Sequence, residues 1–292
     1  MRLIAIAVLF LTVVASCNTP NNGIGKLHEN NTTNPNYDPN HFANQDVQSK
    51  APSAFALQRE AKEFVYLTSG DNFVEEKALI GAIFKNKQLT TDVKRFPTLD
   101  WNAKKSVLEQ VFQIEIATLG ITAPELQFDS QAIRGPAFFD FDLASSGPGK
   151  VILNPTAIQA AENPYIGLLL LIHETRHSYQ LQLSRKSSDA EGVGYAHAFR
   201  AQKEVTVKSF SDFLTLLNEY EAFRYANYVV GAITEWQVDT LGLGTYASQF
   251  DQGHPRIDLA DLFRKEEAGQ ILSTVLEEFN KLENEQYIKM QN

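Results

Sequence analysis

The pentapeptide His173-Glu174-Thr175-Arg176-His177 follows directly on the most apolar internal run of the chain, Ile166-Gly167-Leu168-Leu169-Leu170-Leu171-Ile172. Such a run predicts a buried helix, and a buried helix that carries two histidines and an acid must find partners for them. Positions i and i+4 share a helix face. The imidazoles of His173 and His177 can therefore converge on one tetrahedral zinc ion, with Glu174 near enough to act on a metal-bound water. Asn163 and Pro164 read as an N-cap followed by proline at the first helical position, which predicts a helix from there to about Ser184. A core helix that carries the motif by accident is the competing reading.

Two histidines leave a catalytic zinc one protein ligand short. Position 183 is Leu183 and position 180 is Gln180, so no third histidine lies six residues past the second. The segment Ser211 to Ala226 reads as a helix and offers Glu219 and Glu221. Helical spacing puts Glu219 beside Thr215, Leu216, Ala222, Phe223 and Ala226, and Glu221 beside Leu217, Asn218, Arg224, Tyr225 and Tyr228. A carboxylate on a mostly apolar face needs a cation, which selects Glu219 as third ligand. The alternatives are a salt bridge from Glu219 to Arg176 or Arg224, and ligation by Glu221 in its place. If Glu219 is the ligand, Glu221 is expected to orient a ligating imidazole through its free ring nitrogen.

His173-Glu174-x-x-His177 with a downstream Asn218-Glu219-x-x-Ala222 resembles the gluzincin type of zinc metallopeptidase, over roughly residues 98 to 230. The resemblance implies zinc held by His173, His177 and Glu219, with Glu174 as general base in hydrolysis of a peptide or protein substrate. The chain departs from the pattern at Phe223, where the best-known members have Asp, and in the long polar stretch from Ser184 to Gly194. Tyr220, Tyr225, His197 and Tyr246 are candidate oxyanion donors. His254, in Gly253-His254-Pro255, reads as a turn residue.

The N-terminus has a single charge at Arg2 followed by an apolar stretch to Ala15, too short for a typical spanning helix, and reads as an export signal. Val14-Ala15-Ser16-Cys17 resembles the lipobox of bacterial lipoproteins, and Cys17 is the chain's only cysteine. The resemblance implies a signal peptide at 1–16 and a lipidated Cys17. Asn18 in place of Asp implies an outer-membrane anchor, by resemblance to enterobacterial sorting signals. Residues 17–50 are rich in Asn, Pro and Thr, read as a disordered tether, and carry His28 and His41 as solvated loop residues. A net charge of -9 without a dense basic run argues against nucleic acid as a partner.

Residues 51–97 read as an N-terminal helical segment with two short helices broken at Ser69-Gly70-Asp71, and residues 98–292 as the main domain. In that domain Asp100 or Thr98 caps a helix closing at Gly120, expected to pack on a sheet. Strands are expected at Glu125 to Asp129, Phe138 to Leu143 and Lys150 to Leu153, the last two as a hairpin immediately before the zinc helix. Ile271 to Leu282 reads as an amphipathic packing helix, and Trp236, Tyr246 and Phe250 as candidate borders of a cleft. The expected fold is α+β: a mainly helical, zincin-like domain with a small mixed or antiparallel sheet beside the active-site helix. The rival functional reading is a non-catalytic envelope lipoprotein of the same fold, acting as an interaction or assembly module.

Overall fold

The computed structural model describes residues 43–69, 74–204, 210–238 and 245–291. The expected export signal, Cys17, His28, His41 and most of the segment expected to be a tether lie outside the described residues. Among those described, no helix is long and apolar enough to cross a membrane.

The helices are α1 (Gln45–Gln48), α2 (Lys62–Ser69), α3 (Val74–Lys85), α4 (Lys87–Lys94), α5 (Trp101–Leu119), α6 (Pro155–Ala160), α7 (Ile166–Ser184), α8 (Ala190–Glu204), α9 (Phe210–Leu214), α10 (Leu217–Ile233), α11 (Leu259–Glu267) and α12 (Val275–Gln291). Three four-residue strands, β1 (Glu125–Phe128), β2 (Ala137–Asp140) and β3 (Lys150–Leu153), form a mixed sheet in the order β1-β3-β2, with β1 parallel and β2 antiparallel to β3. A separate two-residue ladder pairs β4 (Phe250–Asp251) with β5 (His254–Pro255), where His254 is exposed. The fold is α+β and mostly helical, as expected.

The apolar run puts α7 at the centre. Every residue from Ile166 to Ser178 is buried, and α10, α8, α5, β2 and β3 all pack on it. A helix apolar all round has no alternative to such enclosure. One contiguous core joins α2 to α5, the sheet, α7, α8 and α10, so Leu57, Phe64 and Leu79 of the N-terminal segment pack with the residues around the motif.

Local chemistry sets the boundaries, in places differently from expectation. Asp100 caps α5 by accepting from the Ala103 amide at 2.9 Å, and Gly120 ends it in the left-handed region at φ 63°. The helix packs chiefly on α7 and α3, and reaches the sheet through Trp101 against Phe128. The motif helix starts at Ile166, not at Pro164. Asn163 instead closes an Asx turn, its side-chain oxygen accepting from the Tyr165 amide at 2.9 Å. The hairpin does not lead straight into α7 either, because Asn154 accepts from the Ala157 amide and caps the intervening α6, with Pro155 at its first position. The C-terminal helix begins only at Val275, leaving Leu272 fully exposed in the preceding loop.

The β2–β3 turn depends on Gly149 at φ 85°, where an added Cβ would fall 2.3 Å from the Phe139 ring. Gly149→Ala should therefore cost about 2–3 kcal/mol, combining left-handed strain with displacement of a core ring. Gly120→Ala meets only the strain, with nothing within 4 Å, and should cost about 1 kcal/mol. Denaturant unfolding of both variants checks the difference.

Candidate metal centre

His173 and His177 lie one turn apart on α7, facing the first turn of α10. The helix expected over 211–226 is in fact two. Leu216 bridges to Phe55, the Ala56 amide bonds to the Thr215 carbonyl at 2.8 Å, and Gln48 reaches both Asp212 and Thr215, so the chain stays extended between α9 and α10. This break places Glu219 third in α10, where the positive end of the helix dipole favours a carboxylate.

Glu219 and the two histidines converge as the sequence indicated. The two Nε2 atoms are 3.0 Å apart, and Glu219 sets Oε2 3.4 Å from that of His173 and Oε1 3.4 Å from that of His177. Four ligands around a small divalent ion at bonds of about 2.0–2.1 Å would sit about 3.3 Å from one another. His173 and Glu219 are completely buried and His177 is 2% exposed. The three form a buried group that could hold a metal ion.

The electrostatics agree with a site built for positive charge. Burial, helped by the neighbouring His177, lowers the His173 pKa to about 4. Burial also opposes a charge on His177, yet Glu219 and then Glu174 outweigh it and raise that ring to about 9. Glu219, despite burial, is pulled down to about 2 by the histidines. Glu174 is itself 1% exposed.

Glu221 does not touch a histidine, contrary to the expected role. Its carboxylate accepts from Arg176 Nε at 3.1 and 3.0 Å and pairs with Arg176 Nη2 at 2.9 Å. It also accepts from Gln180 Nε2 at 2.7 Å, and Arg224 lies 3.5 Å away. These cations hold the Glu221 pKa near 2 against its burial. The salt bridges considered for Glu219 are thus made by Glu221. Arg176, 2% exposed, also binds Glu75 at 2.7 Å and stacks on the rings of Tyr179 and Tyr225, while Arg224 pairs with Glu76.

Two glutamines missed from the sequence complete the centre. Gln180 Oε1 lies 2.8 Å from His177 Nδ1, and Gln202 of α8 donates to Glu219 at 3.2 Å while accepting from Asn218 at 2.8 Å. Gln180 had a detectable signal, being three residues from His177 on the same helix. Gln202 had none, because its contact depends on how α8 packs.

Apolar rings close the centre. Phe139 and Phe199 lie 5.9 and 6.3 Å from His177 between ring centroids, Phe223 lies 4.0 Å from His173, and Phe141 packs on Phe139 and Phe199. The β2–β3 turn is clasped to α7 by Ser178 on the Pro148 carbonyl at 2.6 Å, and by Arg185 on the Gly147 and Asp142 carbonyls. Of the candidate oxyanion donors, the Tyr220 hydroxyl pairs with Ser69 at 2.7 Å and Tyr225 lies against Arg176. His197 is half-buried on α8, and Tyr246 is buried in a short turn. Trp236 and Phe250 form an aromatic cluster with Tyr228.

Removing the guanidinium should expose the cost of the charges it balances. Arg176→Met leaves buried Glu221 with Gln180 and, as the cation, the more distant Arg224, and should lose about 3–5 kcal/mol by denaturant unfolding. Arg176→Lys should recover only part, since an ammonium cannot span both carboxylate oxygens as the guanidinium does. A loss below about 1 kcal/mol in the Met variant would mean that the pair does not hold the helices.

No family model, no curated protein and no solved structure matches the chain, so the reading of the centre rests on its own geometry.

Proposed function

We propose that this chain is a zinc-dependent peptidase of the H-E-x-x-H-plus-Glu type, with His173, His177 and Glu219 as metal ligands and Glu174 as general base. The observation that carries the reading is the convergence of two imidazole nitrogens and a carboxylate at 3.0–3.4 Å, with an acid beside the first histidine. A donor set of two imidazoles and one carboxylate suits zinc and leaves a fourth position for water or substrate. Zinc there would supply a Lewis acid and lower the pKa of bound water toward neutrality. Glu174 would take the water's proton and deliver it to the leaving amine. The aromatic cover keeps bulk water from the ligands.

Cys17 as a lipid anchor would place this activity in a bacterial cell envelope, with an outer-membrane attachment and a peptide or protein substrate. The support is the apolar leader ending in Val14-Ala15-Ser16-Cys17. One observation favours a second reading, a non-catalytic module whose zinc is structural: all three ligands are at most 2% exposed, with Phe139, Phe199 and Phe223 against the two imidazoles.

Elemental analysis should find about one zinc per chain, lost in the His173→Ala/His177→Ala double variant. Glu174→Gln should keep the zinc and lose peptide hydrolysis by about 100-fold or more. Zinc retained by a native chain that cleaves no peptide would select the structural reading. Failure to bind zinc at all would remove both.

A further inference from the structure

Gln180 stands between the metal centre and the buried ion pair, and its own contacts fix what it can do. Its Nε2 faces the Glu221 carboxylate at 2.7 Å and the Asn218 carbonyl at 2.9 Å, and its Oε1 faces His177 Nδ1 at 2.8 Å. Glu221 is ionised, gripped by the Arg176 guanidinium at both oxygens. An ionised carboxylate and a backbone carbonyl only accept, so the amide group must point toward them and its oxygen toward His177. That oxygen only accepts in turn, so the proton it meets belongs to Nδ1. A metal-ligating imidazole is neutral, so a proton on Nδ1 leaves Nε2 as the ligating nitrogen, aimed at His173 and Glu219.

We propose that Gln180, oriented by Glu221 and Asn218, is a positioning residue that holds His177 with its proton on Nδ1 and so presets Nε2 as the metal-binding atom; this rests on the metal-site reading above. The device differs from a carboxylate bonded directly to the ring. Here the charge stays one residue back, neutralised by Arg176, and a neutral amide transmits its orientation. Arg176 inside the motif thereby acquires a role: it fixes Glu221, which fixes the amide. A carboxylate directly on His177 would add a second negative charge to a centre already holding Glu219.

The test uses the zinc-loaded chain labelled with ¹⁵N at histidine. In the native protein the long-range ¹H–¹⁵N spectrum should show His177 with a slowly exchanging proton on Nδ1 and metal on Nε2. Gln180→Met fills similar space without accepting; the Nδ1 proton should then exchange faster, and zinc affinity by chelator competition should fall about 10- to 100-fold. A native spectrum with metal on Nδ1, or a Met variant binding zinc within about twofold of native, would overturn the proposal. If Gln180→Met does not fold, the native spectrum decides alone. Absence of peptide cleavage by the native chain would sink the peptidase reading and leave this test intact.

Discussion

Taking the Arg176 guanidinium out of water costs several kcal/mol, which only close carboxylates and ring faces can offset. Glu221 from α10, Glu75 from α3 and the rings of Tyr179 and Tyr225 supply them. Because Arg176 lies between His173 and His177 in sequence, fixing its side chain also fixes how α7 faces α10. Glu219 and Glu221 on α10 then divide the work, one toward the histidines and the other toward the arginines. The candidate metal centre and the ionic cluster are two faces of one helix contact.

The rest of the architecture serves that contact. The apolar first half of α7 buries the helix on every side, which removes competing water from His173, His177 and Glu219. The bridge of Leu216 to Phe55 starts α10 late enough that Glu219 enters in its first turn. The hairpin turn, clasped by Ser178 and Arg185, brings Phe139 against His177 and Phe141 against Phe139 and Phe199. In so enclosed a centre each remaining polar atom needs a fixed partner, and Gln180 and Gln202 meet that need for His177 and Glu219.

Most of the centre was legible because it obeys helical periodicity. The i, i+4 histidines and the apolar face of Glu219 identify three residues that the fold brings within 3.4 Å. Glu221, on the more polar face of the same helix, has Arg176, Arg224 and Gln180 as partners. The missing parts are those that periodicity does not encode. Thr215 and Leu216 read as helix until Ala56 and Phe55, remote in sequence, pair with them. Asn154 and Asn163 each look like caps, and only packing decides that the first starts α6 and the second merely turns the chain. Glu75 and Gln202 reach the centre across elements whose relative placement no local pattern fixes.

The central claim is that His173, His177 and Glu219 together hold one metal ion. X-ray absorption at the zinc edge of the zinc-loaded chain tests it most directly. The account predicts a first shell of nitrogen and oxygen at about 2.0–2.1 Å, with the outer-shell scattering of two imidazoles and no sulfur. A shell of oxygen alone, or imidazole scattering that persists in the His173→Ala/His177→Ala variant, would contradict it.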